Sequence, residues 1–282
     1  MNSETINARI GFMQGRLSPL IDGKIQCFPW PYWRDEFAAS AKIGLRMMEW
    51  TLDHERIEEN PLMSSGGRAE ITELCNRHGV AIPSLTGDCF MQAPFWKVTG
   101  AEQDMLKNEF RAVVDGCQAL GVAFVVVPLV DNGSLGSRAQ EDCLIEFLLS
   151  ETPALDRKGV KIVFESDFPP AELGAFIARL PAPTFGINYD IGNSAALGFD
   201  VGEEFAAYGG RVLNVHVKDR VLGGTTVPLG EGAASFEEVF SCLRRHGYEG
   251  NFILQTARAA DGAHAATLKR YFDMVGDWAA AA

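Results

Sequence analysis

Short apolar runs recur along the chain, and each is followed by a stretch with helical spacing. Arg9–Met13, Leu45–Trp50, Val80–Leu85, Val122–Val127, Val160–Phe164, Thr184–Tyr189, Val212–Val217 and Asn251–Leu254 read as strands. Val122–Val127 is continuously apolar, as a strand covered on both faces requires. Arg34–Ile43, Ala69–Arg77, Gln103–Leu120, Gln140–Leu149, Ala171–Leu180, Gly202–Tyr208, Phe236–His246 and Ala265–Trp278 read as helices. In Gln103–Leu120 the residues Leu106, Phe110, Val113, Val114, Cys117 and Leu120 fall near one face. Strands alternating with helices predict a parallel sheet. Eight such units predict its closure into a (β/α)8 barrel, one domain spanning residues 1–282. An open doubly wound sheet is the fallback, but no G-x-G-x-x-G opens a helix after a strand.

The polar residues that close the last four runs bring in chemistry. Glu165, Asp190, His216 and Gln255 stand at matching positions. In neighbouring parallel strands they meet at the carboxyl-end mouth, where such barrels keep their active sites. Two carboxylates, an imidazole and an amide oxygen suit one divalent ion, Mn²⁺, Mg²⁺, Co²⁺ or Zn²⁺, better than copper. Singly, each has a structural reading: a strand-end carboxylate caps the next helix, and a histidine inside Val-His-Val packs in the core. Four together argue for a site.

Composition sets the surroundings. A formal charge of −12 disfavours nucleic acid and anionic membranes as partners. The apolar runs are far shorter than the roughly 20 residues of a membrane span. No basic-then-apolar leader opens the chain, and the six cysteines form no C-x-x-C pair, so reduced thiols in a cytoplasmic protein are expected. Against that acidic background, Arg16, Lys218, Arg220 and Arg258 follow strands at the same mouth and suit an anionic substrate.

Five segments, IGFMQGRLSP near the start, FES at Glu165, NYDIGN at Asp190, NVHVKD at His216 and the PLGEG loop, together resemble the xylose isomerase-like sugar phosphate isomerase/epimerase superfamily. Their order and spacing carry the resemblance from about the first strand to the last. It implies a TIM barrel with one divalent metal held by Glu, Asp, His and a final Glu. The matching positions are Glu165, Asp190, His216 and Gln255. It also implies a small sugar or sugar phosphate as substrate, and it matches Asn193 to a position that faces it. Oligomeric state stays open, a homo-oligomer included.

Gln255 departs from that pattern. In the typical site the first and last glutamates pass a proton on and off carbon, and glutamine cannot act as a base. Glu165 is then the single base, which favours aldose–ketose isomerisation over two-base epimerisation. Glu49, at the end of the second run, is the candidate replacement. One carboxylate fewer also predicts weaker metal retention. The loop Phe28–Trp33 is either an aromatic pocket wall or a packing plug, and the glycines around 223–232 either hinge a lid or close turns. The alternatives are a metal-dependent dehydratase of a keto-polyol and a divergent, non-catalytic sugar-binding barrel. Cleavage of abasic DNA needs a basic face that this chain lacks.

Overall fold

Eight parallel strands close into a barrel in the computed structural model of the chain, which describes residues 3–281. Met1, Asn2 and Ala282, the ends of the expected domain span, lie outside the described residues. The strands are β1 (Ile10–Met13), β2 (Met47–Thr51), β3 (Ala81–Thr86), β4 (Phe124–Leu129), β5 (Lys161–Ser166), β6 (Phe185–Asp190), β7 (Val212–Val217) and β8 (Asn251–Leu254). Each pairs with its sequence neighbours, and β8 pairs with β1 to complete the ring. The architecture is the (β/α)8 TIM barrel that the alternation of patterns predicts.

Several strands run past the apolar stretch that announces them. Pro128 pairs with Glu165, and Asp190 with His216, so the polar residues belong to the ladders themselves. Burial of the flanking side chains stops being apolar at the mouth, while the backbone pairing continues. β4 even passes through Pro128, a missing N–H tolerated because the strand ends one residue later.

The helices form the outer layer. Gly100–Leu120 buries Leu106, Phe110, Val113, Val114 and Cys117, and ends at Gly121 in the left-handed region. The Phe110 ring packs on Phe90 and Phe147. Truncating such a residue to alanine costs roughly 3–5 kcal/mol. The helix expected at Gln140–Leu149 extends over Arg138–Lys158, straight through Pro153. Packing of Leu144, Ile145, Leu148 and Leu155 holds it together where the lost hydrogen bond would otherwise end it. Two short helices, Asp88–Gln92 and Ile191–Leu197, follow β3 and β6 directly and escape the periodicity reading. Among the described residues no helix is long and apolar enough to cross a membrane.

Candidate active site

The carboxyl ends of β5, β6 and β7 bring Glu165, Asp190 and His216 together, with one ligand atom of each within 4.8 Å of the others. Register explains the meeting. Asp190 and His216 are paired across β6 and β7 and so point to the same side. Each acidic residue divides its two oxygens between tasks. Asp190 Oδ1 accepts from the backbone N–H of Asn193 at 2.8 Å, capping the helix Ile191–Leu197, while Oδ2 turns inward. Glu165 Oε1 accepts from the Asn193 amide at 2.5 Å, and Oε2 from Asn188 at 3.2 Å.

His216 is oriented from below. Its Nε2 lies 2.7 Å from Glu49 Oε1, and that carboxylate also accepts from Thr86 at 2.6 Å and Asn214 at 3.1 Å. A carboxylate at Nε2 leaves Nδ1 facing Glu165 Oε2 at 3.2 Å and Asp190 Oδ2 at 3.8 Å. Both His216 Nδ1 and Asp190 Oδ2 are buried and turned inward, where they meet only the charged groups of the cluster itself. Inward-turned ligand atoms within 4.8 Å of one another, with the imidazole held by a carboxylate behind it, fit a divalent ion. Glu49 is fully buried beneath the histidine and does not line the cavity; its place is that of a support.

Charge in this cluster is tightly balanced. Burial opposes the imidazolium, yet the attraction of Glu49 and the contacts with Glu165 outweigh it and raise His216 to about 10. Burial pushes Glu165 up, but the hydrogen bond with His216 and the charge of Lys218 hold it below the ordinary carboxylate range. At Asp190 burial and the like charge of Glu165 prevail over Lys218, and its affinity for a proton rises.

Lys218 and Gln255 complete the rim. Lys218 Nζ lies 2.7 Å from Asp190 Oδ2 and donates to Gln255 Oε1 at 3.0 Å. It reaches there by crossing Gly192, where a Cβ would fall 2.8 Å from the lysine Cγ. The Gln255 oxygen is thus engaged by an ammonium, and Gln255 Nε2 donates to Gln26 Oε1 at 2.8 Å. Gln26 Nε2 in turn donates to Asp88 Oδ2 at 2.6 Å. Arg220 donates to Asn193 Oδ1 at 2.8 Å. Asp219 pins the loop beyond it by accepting from the N–H groups of Gly230 and Gly232, both at 2.9 Å. The glycines at 223 and 224 close a small ribbon pairing Asp219–Arg220 with Thr226–Val227.

A cavity of about 430 Å³ opens over this floor, lined by Asp88, Glu165, Asn193, Lys218, Arg220 and Gln255 among others. A second chamber of about 240 Å³ adjoins it and contains Arg16 and Arg258. Gln26, Lys218 and Gln255 line both, so they form the partition. Neither arginine has a carboxylate within ion-pair distance among the described residues, and buried nitrogens of both lack partners. Burial and the neighbouring Arg258 lower Arg16 to about 10, against the opposing charges of Asp88 and Glu36. The aromatic loop lines neither space. Phe28 and Trp33 are buried against Trp50, and Trp30 lies under Arg56.

Sequence reasoning missed Gln26, Asp88, Asn188 and Asn214. Asn188 and Asn214 stand two residues before Asp190 and His216, and alternation along a strand sends them to the same interior face. Asp88 follows the third apolar run as Glu165 follows the fifth, the same signal one turn later. Gln26 sits in an irregular loop and had none.

Comparison with known proteins agrees with the geometry. The chain is 26% identical over 237 residues to L-ribulose-5-phosphate 3-epimerase UlaE of Salmonella heidelberg (strain SL476), covering 79% of this chain and 81% of that one. A xylose isomerase domain protein from Planctomyces limnophilus superposes with a TM-score of 0.73 at 14% identity, over 96% of both chains. The IOLI protein, solved with a binding zinc atom, gives 0.73 at 17% identity over 96% of this chain and 99% of the other. A sequence model of the xylose isomerase-like TIM barrel family matches residues 37–272, five-sixths of the chain with Glu165, Asp190, His216 and Gln255 inside it, and the protein belongs to that family.

Proposed function

We propose that this protein, one barrel domain working in the cytoplasm, interconverts sugars or sugar phosphates by proton transfer at a carbon beside a carbonyl. One divalent ion would be held by Glu165, Asp190 and His216, with the Gln255 oxygen available as a fourth donor once Lys218 releases it. The carrying observation is Glu165, an ionised carboxylate that belongs to the donor cluster and also opens on the main cavity. The match to a sugar phosphate epimerase supports the substrate class. Six free cysteines, four of them buried, are consistent with a reducing compartment.

When bound, the ion supplies Lewis-acid polarisation of substrate oxygens. The chain's own residues supply the rest. Glu165 removes the proton, oriented by Asn188 and Asn193. Lys218 and Arg220 place positive charge where an enediolate develops. The guanidinium groups of Arg16 and Arg258, which have no carboxylate partner among the described residues, favour a terminal phosphate in the adjoining chamber. Gln255 offers hydrogen bonds but cannot exchange a proton with carbon.

The test is solvent exchange. Free and phosphorylated ketoses are incubated in D₂O with the Mn²⁺-supplemented protein. Deuterium should enter the carbon beside the carbonyl, and a chelator or Glu165→Gln should abolish it. Absence of deuterium in every sugar, or exchange indifferent to Glu165→Gln, refutes the proposal. A product lighter by one water would assign a dehydratase instead.

A further inference from the structure

We infer that Asp88 is the second proton-transfer group of this site, standing in for the carboxylate that position 255 lacks; the inference rests on the proton-transfer reading above. Lys218, Gln255, Gln26 and Asp88 form one hydrogen-bonded arc, with links of 3.0, 2.8 and 2.6 Å. The arc starts beyond β7, passes the end of β8 and the loop after β1, and finishes at the end of β3. β5 lies opposite β1 in the ring, so Glu165 faces the Gln26 stretch of this arc, and Asp88 enters the cavity two strands away, at β3. The other carboxylates of the cavity wall, Asp131 and Asp167, follow β4 and β5 and so stand nearer Glu165 in the ring. Of the acids among the described residues that line the cavity, Asp88 stands farthest round the ring from Glu165, and it alone is tied through Gln26 to Gln255.

Its surroundings suit the task. Oδ2 is held by Gln26, and Oδ1 has no hydrogen bond among the described residues. No cation touches it. Burial, against the opposing hydrogen bond from Gln26, raises it to about 7, so both protonation states are accessible near neutrality. The two amides act as rigid spacers. Lys218 fixes the Gln255 oxygen, which turns its N–H toward Gln26, and Gln26 must then donate to Asp88.

The step balances. Glu165 takes the proton from one face of the carbon, and the C–H electron pair passes into the enediolate. Protonated Asp88 delivers its proton to the other face as the carbonyl re-forms. Glu165 ends protonated and Asp88 ionised, and solvent restores both. The product is the epimer, so the missing glutamate does not confine the chemistry to one face.

The experiment uses the full chain with Mn²⁺ and 2-ketopentoses and 2-ketohexoses, free and terminally phosphorylated, in D₂O. Each epimer of the active pair is supplied separately. Asp88→Asn keeps an oxygen for Gln26, and unchanged circular dichroism and Mn²⁺ binding establish that it folds. Epimer formation should fall by about 100-fold or more, the usual worth of a general acid or base. Deuterium exchange should persist within about threefold in the epimer whose C–H faces Glu165 and vanish in the other. Glu165→Gln should give the mirror pattern, and Asp88→Glu should recover part of the epimerisation. Equal loss of exchange from both epimers in Asp88→Asn, undiminished epimerisation, or a wild-type protein that forms only an aldose overturns the role of Asp88. A wild-type protein that exchanges no sugar refutes the underlying reading, and this inference falls with it.

Discussion

Glu49→Gln probes how the floor of the site holds its histidine. Glu49 is fully buried, with Oε1 toward His216 Nε2 and Thr86, and Oε2 toward Asn214. The same Asn214 amide nitrogen donates to Asn188 Oδ1 at 2.8 Å, so it cannot turn away. A glutamine at this position must therefore show its oxygen to Asn214 and its N–H₂ to His216. Nε2 is then obliged to accept, and in the neutral ring that metal ligation requires the proton sits on Nδ1, the atom that faces Glu165 and Asp190. A covered lone pair cannot ligate. Loss of such an outer partner costs about 10–100-fold in metal affinity, or roughly 1.4–2.7 kcal/mol. Because glutamine keeps most of the hydrogen bonds, stability should fall by only about 1–3 kcal/mol. Chelator competition with Mn²⁺ or Zn²⁺ measures the first quantity and urea unfolding the second. Thr86→Val, which removes one hydroxyl from the carboxylate and leaves its charge on His216, should keep affinity within about threefold. Wild-type metal affinity in a folded E49Q protein would refute the tautomer argument.

Other expectations follow from neighbouring contacts. Gln255→Glu places a carboxylate against Lys218 and beside the donor cluster, and should tighten Mn²⁺ binding by about tenfold or more in the same chelator assay. Asp88 rises from 3.8 to about 7 on folding, so the native state holds a proton that the unfolded chain releases, and stability declines as pH rises through that window. Asp88→Asn should accordingly be more stable than wild type at alkaline pH by a few kcal/mol, the gap closing toward pH 4 in urea melts; a pH-independent gap contradicts this. Arg258→Met should raise KM for a phosphorylated ketose by about tenfold or more while leaving the free ketose nearly unchanged. Gly192→Ala puts a methyl 2.8 Å from Lys218 Cγ and 3.0 Å from its carbonyl carbon, and should cost about 1–3 kcal/mol in thermal unfolding together with a lower kcat.

The barrel was legible because each unit announces itself twice, by an apolar run and by helical spacing after it. Boundaries slipped where polarity and pairing part company, as at Glu165 and Asp190, which lie inside their strands. Pro128 and Pro153 misled for a related reason: local propensity argues for a break, and packing overrides it. Within the site, residues on strand ends could be read from spacing, since alternation and register bring them to one mouth. Gln26 could not. It enters through an irregular loop after β1, and only the fold brings it between Gln255 and Asp88. Glu49 was visible as a strand-end acid, but its depth beneath His216 depends on barrel tilt and stagger, which no linear pattern encodes. The competition of Lys218 for Asp190 and Gln255 was likewise hidden in the Val-His-Val-Lys run.

The partition between the two chambers acts as a ruler. Gln26, Lys218 and Gln255 separate the cavity that Glu165 lines from the chamber that holds Arg16 and Arg258. A ligand that satisfies both ends must span that wall, with its anionic group several bonds from its carbonyl. On the proposed function, terminally phosphorylated ketoses are expected to occupy both chambers, and shorter or internally phosphorylated ones a single chamber.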